Sequence, residues 1–359
     1  MDLRPSSAHI WTHCAAQPRM AAAVPAELPG DPAREGTCAA WVAEMVLTGA
    51  APTCADLVGQ SHPNGWLVEP DMTHRIQKYV DLLRSYGGKL FVERKVRLNN
   101  HIAGTPDAWG LVDDDHTLRA DDLKYGFNVV EPFRNPQVGI YAGSILRHLT
   151  SRGVTVRRVV IGIYQPRAYH PAGIHRTWVC DPETLMAFVQ EIEEAGSRAQ
   201  APDAPATPGE HCEYCPAAAT CPAVAHANYR VFDAVAVAQQ RHMTAQEMVE
   251  ELEFLRIAGD MLKGRTSAVH AEAEARIHKG EHLPGWHMEQ RAGQRRFKVP
   301  ADVVRAMTGI NPEVAKMITP AELERLGADP AAVAHMTETP RTKPALRKIA
   351  PGYFKNLFK

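Results

Sequence analysis

The sequence predicts an α/β fold with a central mixed β-sheet flanked by helices, followed by a mainly helical C-terminal region. Two observations carry this. Three strand-like apolar segments lie between residues 89 and 125, separated by polar turn-forming runs, as a meander requires. They are followed by a helical segment, a β-branched run and a second helical segment, an order that gives at least one crossover between parallel strands. The 359 residues are roughly two domains' worth at about 150 residues each. The expected boundary divides residues 1–230 from 231–359.

Each element has a local reason. Residues Asp31 to Thr48 read as a helix with Asp31 as N-cap, Pro32 at the first position, Glu35 in the first turn and Gly49 at the end. Lys89–Leu98, Ile102–Val112 and Leu118–Tyr125 read as strands, with turns at Asn99-Asn100 and at Asp113-Asp114-Asp115-His116. Pro136 opens a helix from Asn135 to Ser151, and Val154 to Tyr164 is a strongly apolar central strand. A helix from Asp181 to Gly196 follows, then an Ala/Pro-rich linker from Ser197 to Gly209. Val231 to His278 reads as helical, Trp286 to Val299 as a hairpin or ribbon, and Pro300 to Met336 as short helices punctuated by prolines.

Forty Lys and Arg nearly cancel 41 Asp and Glu, so a nucleic-acid partner must be held by a local basic surface. The most apolar helix-like run, Trp41 to Leu47, is interrupted by Glu44, so no membrane span is expected. The N-terminal residues lack the apolar region of a secretory signal, which leads us to expect a cytoplasmic protein. Seven cysteines are too few and too uneven for a disulfide framework.

Gly104-Thr105-Pro106-Asp107 is expected in the second strand and Asp122-Leu123-Lys124 in the third, so the two motifs are neighbours. Side chains alternate along a strand, so Asp122 and Lys124 share one face while Leu123 enters the core. If Asp107 lies across from Asp122, two carboxylates and the Leu123 backbone carbonyl offer hard oxygen ligands suited to Mg²⁺ or Mn²⁺. Lys124 would orient or help deprotonate an attacking water and offset charge on a phosphate. Standing alone, an Asp-Xaa-Lys tripeptide is common and reads as an exposed same-face ion pair, with Asp107 as a turn residue after Pro106.

In this context the motifs resemble the PD-(D/E)XK nuclease superfamily in its RecB-like branch: Gly104-Thr105-Pro106-Asp107, Asp122-Leu123-Lys124-Tyr125-Gly126, and Asn135-Pro136-Gln137 with Tyr141. The resemblance implies a restriction-endonuclease-like core and a divalent-metal-dependent deoxyribonuclease, an exonuclease acting on DNA ends. Asp107, Asp122 and Lys124 would be its catalytic residues. Gln137 and Tyr141, four apart on one helix face, match that branch's Gln-Xaa-Xaa-Xaa-Tyr element, which lies beside the active site. Glu44 is the candidate for the family's first-helix acid and a further ligand to Mg²⁺ or Mn²⁺; its other reading is an exposed polar residue. Ala40 stands where family members often carry a histidine, which removes one possible ligand.

Cys212, Cys215 and Cys221 crowd into ten residues, a metal or iron–sulfur pattern that needs a fourth ligand from Cys14, Cys38, Cys54 or Cys180. In the iron–sulfur members of the RecB-like branch, which include the CRISPR-associated exonucleases and AddB-type domains, one N-terminal cysteine joins three at the C-terminal edge. By that resemblance the ligands are Cys14, Cys212, Cys215 and Cys221, holding a 4Fe-4S cluster, with Zn²⁺ as the alternative. The cluster would staple a loop of about 200 residues around the core.

The segment Trp286–Lys298 combines four cations, Arg291, Arg295, Arg296 and Lys298, with two aromatics, Trp286 and Phe297, a pattern suited to single-stranded nucleic acid or equally to a solvated basic hairpin. The last 21 residues carry six cations and no acid. By the resemblance, the expected partners are DNA, single-stranded or with free ends, and recombination or repair proteins, in a bacterial or phage-infected host cell. Two other functions fit the same sequence: a catalytically weak DNA-binding or recombination-partner module, and a zinc-stapled structural protein.

Overall fold

A computed structural model describes residues 2–24, 30–112, 116–237, 244–289, 296–297, 301–310, 313–314, 316–317, 319–325, 327–338 and 345–348. The chain divides into two compact units, Met1–Arg265 and Thr266–Lys359.

Unit 1 is a mixed five-stranded sheet between two helical layers. Its strands are β1 (Lys89–Val92), β4 (Ala108–Val112), β5 (Thr117–Leu123), β6 (Arg158–Tyr164) and β7 (His175–Cys180), adjacent in that order. All neighbours are antiparallel except β5 and β6, which run parallel across a helical crossover. That crossover is α5 (Pro136–Ser151), started as expected at Asn135, whose side chain accepts the Gln137 and Val138 amides. The two-residue strands β2 (Val96–Arg97) and β3 (Ala103–Gly104) form a separate hairpin.

Side-chain alternation sorts the sheet into two faces. Leu118, Ala120, Ile161 and Ile163 pack under α5 and α6 (Pro182–Ala199), whereas Leu123, Ala108 and Tyr164 pack with α3 (Asp31–Leu47) and α4 (Pro70–Ser85). Asp122 follows Leu118 and Ala120 at two-residue steps and therefore faces α5. Two short helices, α1 (Ala8–Trp11) and α2 (Gln17–Ala22), precede this core and fix its N-terminal segment to it. Leu3, Ala8 and Trp11 are buried in the α5/α6 layer. The Ala/Pro-rich stretch meets the same segment, because the Ala16 amide bonds to the Pro205 carbonyl.

Several boundaries differ from expectation. Gly30, not Asp31, caps α3, and Asp31 is its first residue. The first expected strand breaks at Glu93, whose φ of 49° turns the chain, and the second breaks after Gly104, leaving Asp107 just outside β4. Helix α6 runs past Gly196 to Ala199.

Helix α7 (Pro222–Val237) belongs to unit 1, and the division between the units falls inside α8 (Ala245–His278). Unit 2 contains α9 (Ala301–Thr308), α10 (Pro320–Arg325) and α11 (Pro330–Met336), joined by a small core around Val304, Leu323 and Val333. A two-residue pair, β10 (Glu313–Val314) with β11 (Lys316–Met317), lies between them. The expected hairpin at 286–299 is replaced by longer-range pairing. There β8 (Trp286–Glu289) pairs with β13 (Ala345–Lys348), and β9 (Arg296–Phe297) pairs with β12 (Thr337–Glu338). Part of the expected basic tail is therefore a strand. Arg291, Arg295 and Lys298 lie outside the described residues, and Arg296 is placed only as a residue of β9. Among the described residues no helix is long and apolar enough to cross a membrane.

Candidate active site

The β4–β5 register pairs Ala108 with Asp121, so Asp107 and Asp122 meet at the next step along the two chains. Asp107 closes that step itself: its Oδ2 accepts the Leu123 amide at 2.6 Å. Burial holds the Asp107 carboxyl well above the usual carboxylate range, and the nearby Asp122 adds to this, while the Leu123 amide pulls the other way. Asp122 is itself buried, at 2% exposure.

Lys124 is the counter-cation. Its Nζ lies 2.8 Å from Asp122 Oδ2 and donates to Gln137 Oε1 at 2.9 Å. Burial alone would lower the pKa of this ammonium, but Asp122 and Asp107 outweigh it and raise the value. At neutral pH Lys124 is therefore a cation, which makes it a charge-stabilising and orienting group and not a base. Gln137 uses its whole amide here: Nε2 donates to Asp122 Oδ1 and to the Tyr141 hydroxyl, each at 3.3 Å. Burial pushes the Tyr141 hydroxyl up, so it stays protonated.

Two further residues shape the centre. Gly104 leaves the room that Tyr141 needs, because a Cβ there would fall 2.7 Å from Pro5 Cγ and 2.8 Å from Tyr141 Cε1. Glu93, which the sequence did not single out, donates its amide to the Asp107 carbonyl at 3.2 Å. Burial raises its carboxyl to about 7, with contributions from Glu44 and Asp122. Glu44, half-buried on α3, thus stands within electrostatic range of this centre through Glu93. A glutamate ending an apolar strand was the only available signal for Glu93.

Cys14, Cys212, Cys215 and Cys221 line one enclosed cavity with apolar neighbours such as Ile10, Met20 and Val224. Backbone amides point at the sulfurs: Thr207 at Cys14 Sγ, 3.5 Å, and Gly209 at Cys212 Sγ, 3.4 Å. Burial raises the Cys215 thiol, the Ala217 amide opposes this, and the other three cysteines act on it in the same direction as burial. His211 stacks on His13 at 5.7 Å, and its contact with Cys212 raises its pKa. Cys38 and Cys54 are buried in the α3/α4 layer, away from this cavity. Cys180 belongs to the α5/α6 layer.

Both ligand sets suit the groups the sequence suggested. The acid set is all hard oxygen, with Asp122 Oδ2 buried and lacking a well-formed hydrogen bond. The thiol set is soft and faced by amide donors, as thiolate ligands require. Among the described residues no three His, Cys, Asp or Glu side chains already converge to metal-binding distance.

No curated protein matches the chain. The crystal structure of a protein described as "Putative exonuclease" from Eubacterium rectale aligns over 55% of this chain and 79% of its own, at 6% identity and a TM-score of 0.34. That likeness is too distant to bear on activity. A family model covers nearly the whole chain, residues 2–350, and on that match the chain belongs to the family described as "Protein of unknown function (DUF2800)".

Proposed function

We propose that the protein is a divalent-metal-dependent deoxyribonuclease that hydrolyses phosphodiester bonds at DNA ends. One observation carries the reading: the Asp122, Lys124 and Gln137 side chains form one connected network at the end of β5, and Asp107 is fixed beside it by its hydrogen bond to the Leu123 backbone amide. Glu44, Asp107, Asp122 and the Leu123 carbonyl would hold Mg²⁺ or Mn²⁺. Such a cation, when bound, supplies Lewis acidity and a lowered pKa for its water.

The chain's own residues do the rest. Lys124, held as a cation by Asp122 and aimed by Gln137, would offset the charge on a phosphate oxygen. Tyr141 fixes the Gln137 amide, so Gln137 and Tyr141 position Lys124 without touching the reacting atoms. The Asp107–Leu123 hydrogen bond fixes the spacing of the acids.

The four-cysteine cavity supports a 4Fe-4S cluster as a staple between the N-terminal segment and the region after α6. Iron and acid-labile sulfide in anaerobically purified protein would establish the cluster, and stoichiometric zinc without iron would replace it.

The test of the nuclease reading is degradation of end-labelled linear DNA beside covalently closed circular DNA, each with Mg²⁺, Mn²⁺ or EDTA. Metal-dependent loss of the linear substrate alone is expected. DNA binding without turnover under either metal would leave a binding module instead.

A further inference from the structure

A second cleft opens on the α3/α4 side of the sheet, lined in part by residues that follow Lys124 in the chain, and nothing in the proposed chemistry uses it. It encloses about 300 Å³, within the usual range for small-ligand pockets. Its walls include Tyr125 and Phe127, one and three residues after Lys124, and Arg167. The Arg167 guanidinium lies 4.1 Å from the Phe127 ring centroid and 4.7 Å from that of Tyr125, and is held by an ion pair to Glu35 at 2.7 Å. Arg167 therefore covers one face of Phe127. The rest of the ring is open, for Phe127 is 66% exposed while Tyr125 is buried.

An exposed phenylalanine on a mobile loop would mean little, but this loop is clamped from below. Gln165 is 1% exposed, and its Nε2 donates to the carbonyls on both sides of Phe127, Gly126 at 3.0 Å and Asn128 at 2.7 Å. Its Oε1 accepts the Val130 amide at 3.1 Å and Arg176 Nη2 at 2.8 Å. Asn128 also donates to the Tyr214 hydroxyl at 3.3 Å. A buried, fully bonded amide thus holds an aromatic ring out in solvent, an arrangement that favours a stacking partner over random exposure.

The charges of the cleft identify that partner. Glu35 and Asp71 are paired to Arg167 and Arg75, and Glu69 adds a further carboxylate at the rim. Three acids against two guanidinium groups repel phosphate, but they accept hydrogen bonds from ring and amino N–H groups. Between their Cα atoms the three-residue step from Lys124 to Phe127 spans at most about 10 Å, so one strand can reach both.

We propose that this cleft is a subsite for an unpaired nucleobase, stacked on the open face of Phe127, so that the strand entering the acid–lysine centre is single-stranded at that point. The inference rests on the nuclease reading for the identity of the polymer, but its test does not depend on cleavage. Binding of fluorescent oligonucleotides by the full chain would be measured by anisotropy in EDTA, comparing wild type with Phe127→Ala and Phe127→Trp. The probes are single-stranded DNA, the same strand with one abasic site moved along it, blunt duplex, RNA of the same sequence, and a free mononucleotide.

The expected result is roughly tenfold weaker single-strand binding by Phe127→Ala, with Phe127→Trp within a few-fold of wild type. One abasic position should weaken wild-type binding to the same degree and leave Phe127→Ala unchanged. RNA or mononucleotide binding with the same Phe127 dependence supports the base subsite and shows that the sugar or the chain is not read. Equal affinities of wild type and Phe127→Ala overturn the subsite, as does equal dependence of blunt duplex on Phe127. If that happens while the linear substrate is still degraded, only the subsite falls. If no nucleic acid binds and none is degraded, the nuclease reading falls with it.

Discussion

The acid–lysine centre and the cysteine cavity both crowd like groups together, but only the first brings its own counter-charge. Asp107 and Asp122 are answered by Lys124, a connected amide and a backbone N–H, so the centre is organised before any cation arrives. Around the thiols there are apolar side chains and backbone amides, with His211 beside Cys212. The difference teaches that the two regions should fail differently. Damage to the first should abolish chemistry and spare the fold; damage to the second should cost the fold first.

The largest separation of the two comes from the acids. Asp122→Asn keeps the shape but removes the charge that faces Lys124, and we expect cleavage to fall by about 10³ with little change in melting temperature. Wild-type turnover by this variant would break the comparison. On the other side, if the cavity holds the proposed cluster, Cys215→Ser should carry less iron than wild type and melt roughly 5 °C or more lower, at about 2–4 °C per kcal/mol for a unit of this size. An unchanged melting curve and metal content would show that the cavity is not a staple.

A smaller effect sharpens the boundary between the regions. Gly104→Ala forces a methyl group against Pro5 and Tyr141, so a loss of about 1–3 kcal/mol in stability is expected, measured by denaturant unfolding, together with weaker cleavage through displaced Tyr141. Here an N-terminal residue, Pro5, and an active-site residue, Tyr141, both crowd the place a Cβ would take.

The smallest effect is one of pH. Burial, Glu44 and Asp122 raise the Glu93 carboxyl from 4.5 to about 7, so its charged form is disfavoured until a cation arrives. Mn²⁺ affinity, followed by calorimetry, should therefore strengthen as pH rises from about 4.5 to about 7, with proton release, and level off above. In the metal-free protein the same shift has the opposite sign for folding, since the stability Glu93 contributes in its protonated form is lost over that window. Glu93→Gln should reduce both dependences and leave the part that the raised Asp107 carboxyl contributes; an unaltered pH profile would remove Glu93 from the centre.

Much of this was legible in the residues, for identifiable reasons. Strand alternation placed Asp122 and Lys124 on one face and Leu123 in the core, and Asn135-Pro136 marked the start of the helix that carries Gln137 and Tyr141. Glu93 was not legible, because its position depends on a left-handed backbone turn and on a neighbouring strand brought in from residue 107. The clamp of Gln165 on the Phe127 loop joins segments about 40 residues apart, which no local pattern encodes. For the same reason β8 and β9 looked like one hairpin, although each pairs with a segment nearer the C-terminus. Local periodicity reports faces and caps; it does not report partners.

The most direct test of the central claim is cleavage of end-labelled linear DNA by Lys124→Ala beside wild type in Mn²⁺, with melting temperature and iron content measured on the same samples. Loss of cleavage at unchanged melting temperature and iron content is the predicted result. Undiminished cleavage by a folded Lys124→Ala protein would contradict it.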